Sequence, residues 1–202
     1  SIANRIWANF FGRGIVEPVD DLRISNPASN EPLLQAIADH LAKNKYDLKA
    51  LMRLILRSET YRRSSVPLER NREDQGYYSR YYPRRMMAEV LYDAIVSVTS
   101  VSRRFDNITN FDGSTQKTDF YPEGTRALQL YDSSVTSYFL KAFGRNDREI
   151  TCECERSNKP SMVQVLHLSN GNALNDRLSA KKGRVSELLA KENSEIIDDI
   201  YM

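Results

Sequence analysis

The stretch NEPLLQAIADHLAKNKYDLKALMRLILR, residues 30–57, reads as two amphipathic helices and the turn between them. Asn30, or Ser29 before it, is a good N-cap, and Pro32 sits in the first turn, where a missing N–H costs nothing. Leu33, Leu34, Ile37 and Leu41 then form one apolar stripe, and Asn44 ends the segment. Asp47 supplies the next cap. Behind it Leu48, Leu51, Met52 and Ile55 follow helical spacing, while Lys49, Arg53 and Arg57 line another face. So short a connection predicts an antiparallel helical hairpin.

The same reading extends outward. Upstream, Ile2, Ile6, Trp7, Phe10 and Phe11 fall on one face of a helix over 2–11, which Gly12 and Gly14 stop. An extended piece over 15–19 and a polar loop over 20–28 follow. Downstream, the charged stretch 64–80 reads as a surface crossover. Pro83 opens the strongest helical pattern of the chain, with Met87, Val90, Leu91, Ala94, Ile95 and Val98 on one stripe. Periodicity then disappears over 100–132, a long irregular segment with one extended piece at 127–131. A helix over 133–143, an extended arm over 149–155 and a helix from Pro160 come next, the last weakened at Asn170-Gly171-Asn172. Short helices from Arg184 and Ser194 complete the chain. The expected class is all-α: an irregular multi-helix bundle of about eight helices with a long irregular loop and at most short strands. The expected organisation is an N-terminal helical part (1–99), the loop (100–132) and a C-terminal helical part (133–202), one domain overall. Ser1 leads straight into an apolar pattern, and residues 196–202 stop inside one without a stop signal, so both ends are expected to be truncations of a longer protein.

Composition narrows the functional classes. Hydrophobic residues make up 41% of the 202, enough for a core. Charged residues make up 28%, yet the net charge is only +2, which argues against a nucleic-acid arm or a polybasic membrane anchor. No apolar run approaches the roughly 20 residues a bilayer span needs. With two histidines, the chain has no HExxH helix, Walker loop, GxSxG elbow or haem-attaching CxxCH motif.

Three sets of residues carry candidate chemistry. Cys152, Cys154 and His167 offer soft ligands suited to zinc or copper, but a structural zinc site needs a fourth. The competing reading is two thiols on an extended arm and a packed histidine. Arg80, Arg84 and Arg85 cluster around the start of the Pro83 helix, where cations oppose the helix dipole. That placement calls for a compensating partner, either Glu89 four residues after Arg85 or an anionic ligand such as a sulfate or carboxylate group. Glu89 and Asp93 share a helix face, as arginine-paired structural carboxylates or as a hydrolytic pair.

Several blocks resemble one family. They are Asn4-Arg5-Ile6-Trp7 through Phe11-Gly12-Arg13-Gly14 with Glu17-Pro18-Val19-Asp20-Asp21-Leu22-Arg23; Tyr46-Asp47-Leu48-Lys49 with Ser58-Glu59-Thr60-Tyr61; Arg84-Arg85-Met86-Met87-Ala88-Glu89 with Asp93; Tyr121-Pro122-Glu123-Gly124-Thr125-Arg126-Ala127; and Cys152-Glu153-Cys154-Glu155-Arg156-Ser157 with Gln164, His167 and Asn170. Together they resemble the domain of unknown function 1553, the planctomycete-type cytochrome-c-associated domain. Some members carry His where this chain has Asn30. The motif residues Asn4, Arg5, Trp7, Arg13, Asp20, Arg23, Arg156, Gln164 and Asn170 carry the resemblance, which supplies no catalytic residues. It implies part of a long exported protein, periplasmic or at the cell surface. It also implies a cytochrome c domain or sister domain upstream as partner, with haem c held there and no cofactor in this chain. Two functions compete. One is a non-catalytic helical module that docks the cytochrome domain, a protein partner or a polysaccharide, with no nucleic acid and no membrane span. The other is part of a carbohydrate-active hydrolase or redox-linked enzyme using Arg80, Arg84, Arg85, Glu89 and Asp93.

Overall fold

The computed structural model describes residues 1–110, 112–145 and 160–201. These residues form two compact units, Ser1–Arg84 and Arg85–Met202. The chain is mostly helical, with one two-stranded antiparallel sheet among the described residues.

In the first unit, α1 (Ile2–Phe11), α2 (Glu31–Lys43) and α3 (Leu48–Arg57) appear where periodicity and caps predict them. The Asn30 side chain accepts from the Leu33 N–H, and the Asp47 side chain from the Lys49 and Ala50 N–H groups. The hairpin turn passes through Lys45 and Tyr46, both with positive φ, and the Tyr46 N–H closes it onto the Leu41 carbonyl at 2.9 Å. Apolar faces of the three helices meet around Trp7, Phe11, Ile37, Leu41, Leu51 and Ile55. Aromatic packing adds directional contacts: Trp7 and Phe11 rings lie 4.2 Å apart, and Tyr78 meets Trp7 edge-on at 5.2 Å. The tyrosine cluster is therefore divided. Tyr78 is core, Tyr81 and Tyr82 pack against it, and Tyr77 is exposed.

The second unit departs further from the sequence reading. Its first helix, α4 (Ala88–Thr99), starts after residue 83, with Glu89 in the first turn. A helix starting at Pro83 would place Arg84 and Arg85 against its dipole; starting at Ala88 puts a carboxylate there instead. The buried face also differs. Ala88, Glu89, Tyr92 and Thr99 are buried, while Met87 and Val98 of the expected stripe are exposed. The large ring of Tyr92 sets that face, packing on Phe105 at 5.5 Å and Phe139 at 5.6 Å.

Residues 100–132 hold more order than their missing periodicity suggests. β1 (Asn107–Thr109) and β2 (Thr115–Lys117) form a hairpin with Ile108 opposite Gln116. Residues 127–131 are not extended as expected: Ala127–Gln129 is a 3-10 turn. Phe105, Tyr121, Ala127 and Leu130 from this segment all enter the second core. The expected helix over 133–143 shortens to α5 (Tyr138–Ala142), because Val135 bridges to Ile108 in β geometry and Ser137 caps the helix after it. The helix from Pro160 is two helices, α6 (Met162–Asn170) and α7 (Asn172–Leu178). Gly171 lies between them, where a Cβ would come within 2.3 Å of the His167 carbonyl oxygen, so only glycine permits so close a joint. α8 (Arg184–Leu188) and α9 (Asn193–Tyr201) follow. The arm expected over 149–155 lies outside the described residues.

Candidate ligand-binding site

The motif residues of the first unit build structure. Asn4 is fully buried on α1. Its Nδ2 donates to the Val16 and Val19 carbonyls, each at 2.9 Å, and its Oδ1 accepts from the Ile15 and Val16 N–H groups at 2.7 and 3.1 Å. The side chain thus fastens the loop after α1 back onto the helix. Gly14 permits this approach, since a Cβ there would meet the Val16 carbonyl at 2.4 Å. Arg5 grips Asp20 through two bonds, 2.6 and 2.9 Å, and Arg23 grips Asp21 in the same way. Trp7 is core, and the exposed Arg13 contributes its carbonyl, which accepts from the Tyr78 hydroxyl at 3.1 Å. Burial pushes the Tyr78 hydroxyl up to about 12, partly offset by the neighbouring Trp7 indole N–H, so it remains a donor to the Arg13 and Gly14 carbonyls.

The arginine–carboxylate set does not act as a helix-start cluster. Arg80, Arg84 and Arg85 all precede Ala88, the first residue of α4. Arg80 lies over the Tyr82 ring at 5.1 Å, and the Arg84 side chain passes Gly12. Arg85 belongs to the second unit; its guanidinium lies 5.8 Å from the Phe143 ring centroid, and burial lowers its pKa. Glu89 forms an ion pair with Arg145 at 3.7 Å, both side chains nearly buried. Asp93 accepts from the N–H groups of Ala127 at 2.7 Å and Leu128 at 3.3 Å, with Arg126 at 3.4 Å. It is the cap of the 3-10 turn, the same role Asp47 plays for α3.

Cys152, Cys154 and Arg156 lie outside the described residues. Among the described residues, no group of three or more His, Cys, Asp or Glu is placed to hold a metal ion. Gln164 is buried. It closes a capping box with Ser161 and donates to the Ala142 carbonyl at 3.0 Å, tying α6 to α5.

His167 and Asn170 lead instead to a cleft of about 570 Å³ inside the second unit. Its walls come from α4 (Tyr92), the strand approach (Arg103, Arg104, Phe105), α5 and the residues before it (Thr136 to Phe139), and the α6–α7 joint (His167 to Ala173, with Arg177). Tyr138 is 68% exposed, and its ring lies 5.0 Å from the His167 ring. Thr136, Ser137, Asn170 and Asn172 line the same cleft; the Thr136 hydroxyl bonds that of Thr109 at 2.7 Å and the Ser137 hydroxyl caps α5. Among the described residues the charged lining is basic, Arg103, Arg104 and Arg177 beside the His167 imidazole, with no carboxylate. Arg103 has its counter-ion in Asp176 at 2.5 Å, which lies beside the lining. Arg177 is 2% exposed. Its Nε donates to the Val101 carbonyl at 3.1 Å, its Nη1 to Ala173, and its Cζ lies 4.8 Å over the Tyr92 ring.

Sequence reasoning singled out His167 and Asn170 but missed Arg103, Arg104, Tyr138 and Arg177. Arg103-Arg104 stand in the non-periodic segment, where no pattern marks them. No local pattern marks Arg177 either.

The chain is therefore a mostly helical protein whose candidate site is a cleft beside an exposed tyrosine, its charged lining basic among the described residues. It belongs to the PSD1 family, described as a protein of unknown function (DUF1553), whose family model matches residues 1–202. No curated protein and no solved structure matches it. No helix among the described residues is long and apolar enough to cross a membrane.

Proposed function

We propose that this chain is a non-catalytic binding module of a longer exported protein and that the cleft of the second unit takes a segment of polysaccharide. The observation that carries the reading is the exposed Tyr138 ring beside His167, in a cleft also lined by Thr136, Ser137, Asn170 and Asn172. The C–H faces of a sugar ring stack on such a surface while its hydroxyls exchange hydrogen bonds with such neighbours. The non-catalytic part is supported by Glu89 and Asp93, whose carboxylates are held by Arg145 and by the turn at Ala127. In this reading the cytochrome c domain is a neighbour in the longer protein, and the sugar site belongs to this chain.

The test is affinity electrophoresis of the 202-residue chain through gels containing neutral or acidic polysaccharides. Retardation by at least one, weakened about tenfold or more by Tyr138→Ala at unchanged thermal stability, is expected. No retardation by any would reject the reading. Release of reducing ends that is lost in Asp93→Asn would replace it with the hydrolase.

A further inference from the structure

Arg177 poses a problem that the fold alone does not resolve. Its guanidinium is buried, yet among the described residues the groups holding it are neutral: two backbone carbonyls and Tyr92. Its Nη2 is shielded from solvent and has no hydrogen-bond partner among the described residues. A buried cation without a counter-ion is costly, and a guanidinium edge left unbonded adds to that cost. The adjacent carboxylate, Asp176, is engaged by Arg103. In the same cleft, the His167 Nδ1 is also buried without a partner among the described residues. That atom donates in one neutral tautomer and in the protonated ring. Arg104, exposed in the lining, adds a second cation; Asp106, two residues on, lies within its field but outside the lining.

We infer that the cleft contains an oxyanion subsite, in which Arg177 and His167 bind a negatively charged substituent of the polysaccharide and Arg104 reinforces the field. The inference rests on the sugar-binding reading and deepens it by naming the ligand as an anionic glycan. The substituent is an oxyanion, either a sulfate ester or a uronate carboxylate. Both present oxygens that accept from a guanidinium edge and an imidazole N–H, and both supply the missing charge. Tyr138 then stacks on the ring that carries the substituent.

The full 202-residue chain is titrated with dextran, dextran sulfate and polygalacturonate, at low and at physiological salt. At least one charged polymer should bind about tenfold or more tighter than dextran, and the difference should shrink as salt rises. Tighter binding of dextran sulfate alone identifies sulfate esters, of polygalacturonate alone uronates, and of both a general oxyanion subsite. Arg177→Lys tests the buried contact. Arg104→Gln changes an exposed residue, so it keeps the test decisive if the first variant does not fold; it should weaken binding of the charged polymer about threefold to tenfold and leave dextran unaffected. Arg53→Gln, on α3 of the first unit, should change nothing.

Equal, salt-insensitive binding of all three polymers overturns the oxyanion subsite and leaves the sugar-binding reading in place. Failure to bind any of them overturns both. Charged-polymer binding that ignores Arg104→Gln, or that Arg53→Gln weakens equally, is diffuse attraction to a basic surface and also overturns the subsite.

Discussion

The carboxamide of Asn4 satisfies four backbone groups of one loop. A polar side chain at 0% exposure is tolerated because every bond it needs is made in place. Asn4→Leu keeps the volume and strands those groups, so it should destabilise the chain by about 3 kcal/mol or more, read from the urea midpoint. A loss below about 1 kcal/mol would mean that water replaces the carboxamide. Tyr78 fastens the same loop from the other side through the Arg13 and Gly14 carbonyls. Its hydroxyl is raised from 10.0 to about 12 by burial. The protonated form is the one that fits, so its contribution is complete below pH 10 and is lost as pH rises toward 12. Thermal scans should show stability falling across that interval, and Tyr78→Phe should be less stable at neutral pH but flatter across it. Equal slopes for the two proteins would remove Tyr78 as the cause.

Carboxylates at turn and helix starts organise the elements. Asp47 is legible in the sequence because it stands directly before an apolar stripe. Asp93 is the same device across 34 residues, holding the turn at Ala127 from the side of α4. Asp93→Ala should therefore lower stability by about 1–2 kcal/mol in chemical denaturation. An unchanged midpoint would return Asp93 to the list of functional carboxylates. Asp74 organises the loop before Tyr78. Desolvation pushes its pKa up, but bonds from the Ser79 hydroxyl and the backbone N–H groups of Tyr77, Gly76 and Ser79 outweigh this and hold it well below the usual carboxylate range. That loop is accordingly held at neutral pH and released only in strong acid, as pH falls through the lowered value.

At the scale of the whole molecule, the surprise is the segment 100–132. Loss of periodicity marks it as a loop, yet Phe105, Tyr121, Ala127 and Leu130 anchor it in the second core. The stretch from Ser64 to Tyr77 has no comparable anchors and is mostly exposed. Limited trypsinolysis should cut at Arg70 or Arg72 before Lys117 or Arg126, as mass spectrometry of the first fragments would show. Earlier cleavage at Lys117 or Arg126 would mean that the hairpin segment opens more easily than its buried rings imply.

The amino-acid sequence by itself determined α1, α2, α3 and their caps, because periodicity and capping act within about four residues and leave a local trace. It also marked the Gly171 break, where a single residue lacks the side chain that would clash. Only the tertiary structure decided the start of α4, the order within 100–132 and the cleft. Those depend on contacts whose partners are far apart in the chain, as with Arg177 and the Val101 carbonyl, 76 positions away. Whether an arginine meets solvent or a ring and two carbonyls is set by what folds over it, and a linear pattern carries no record of that.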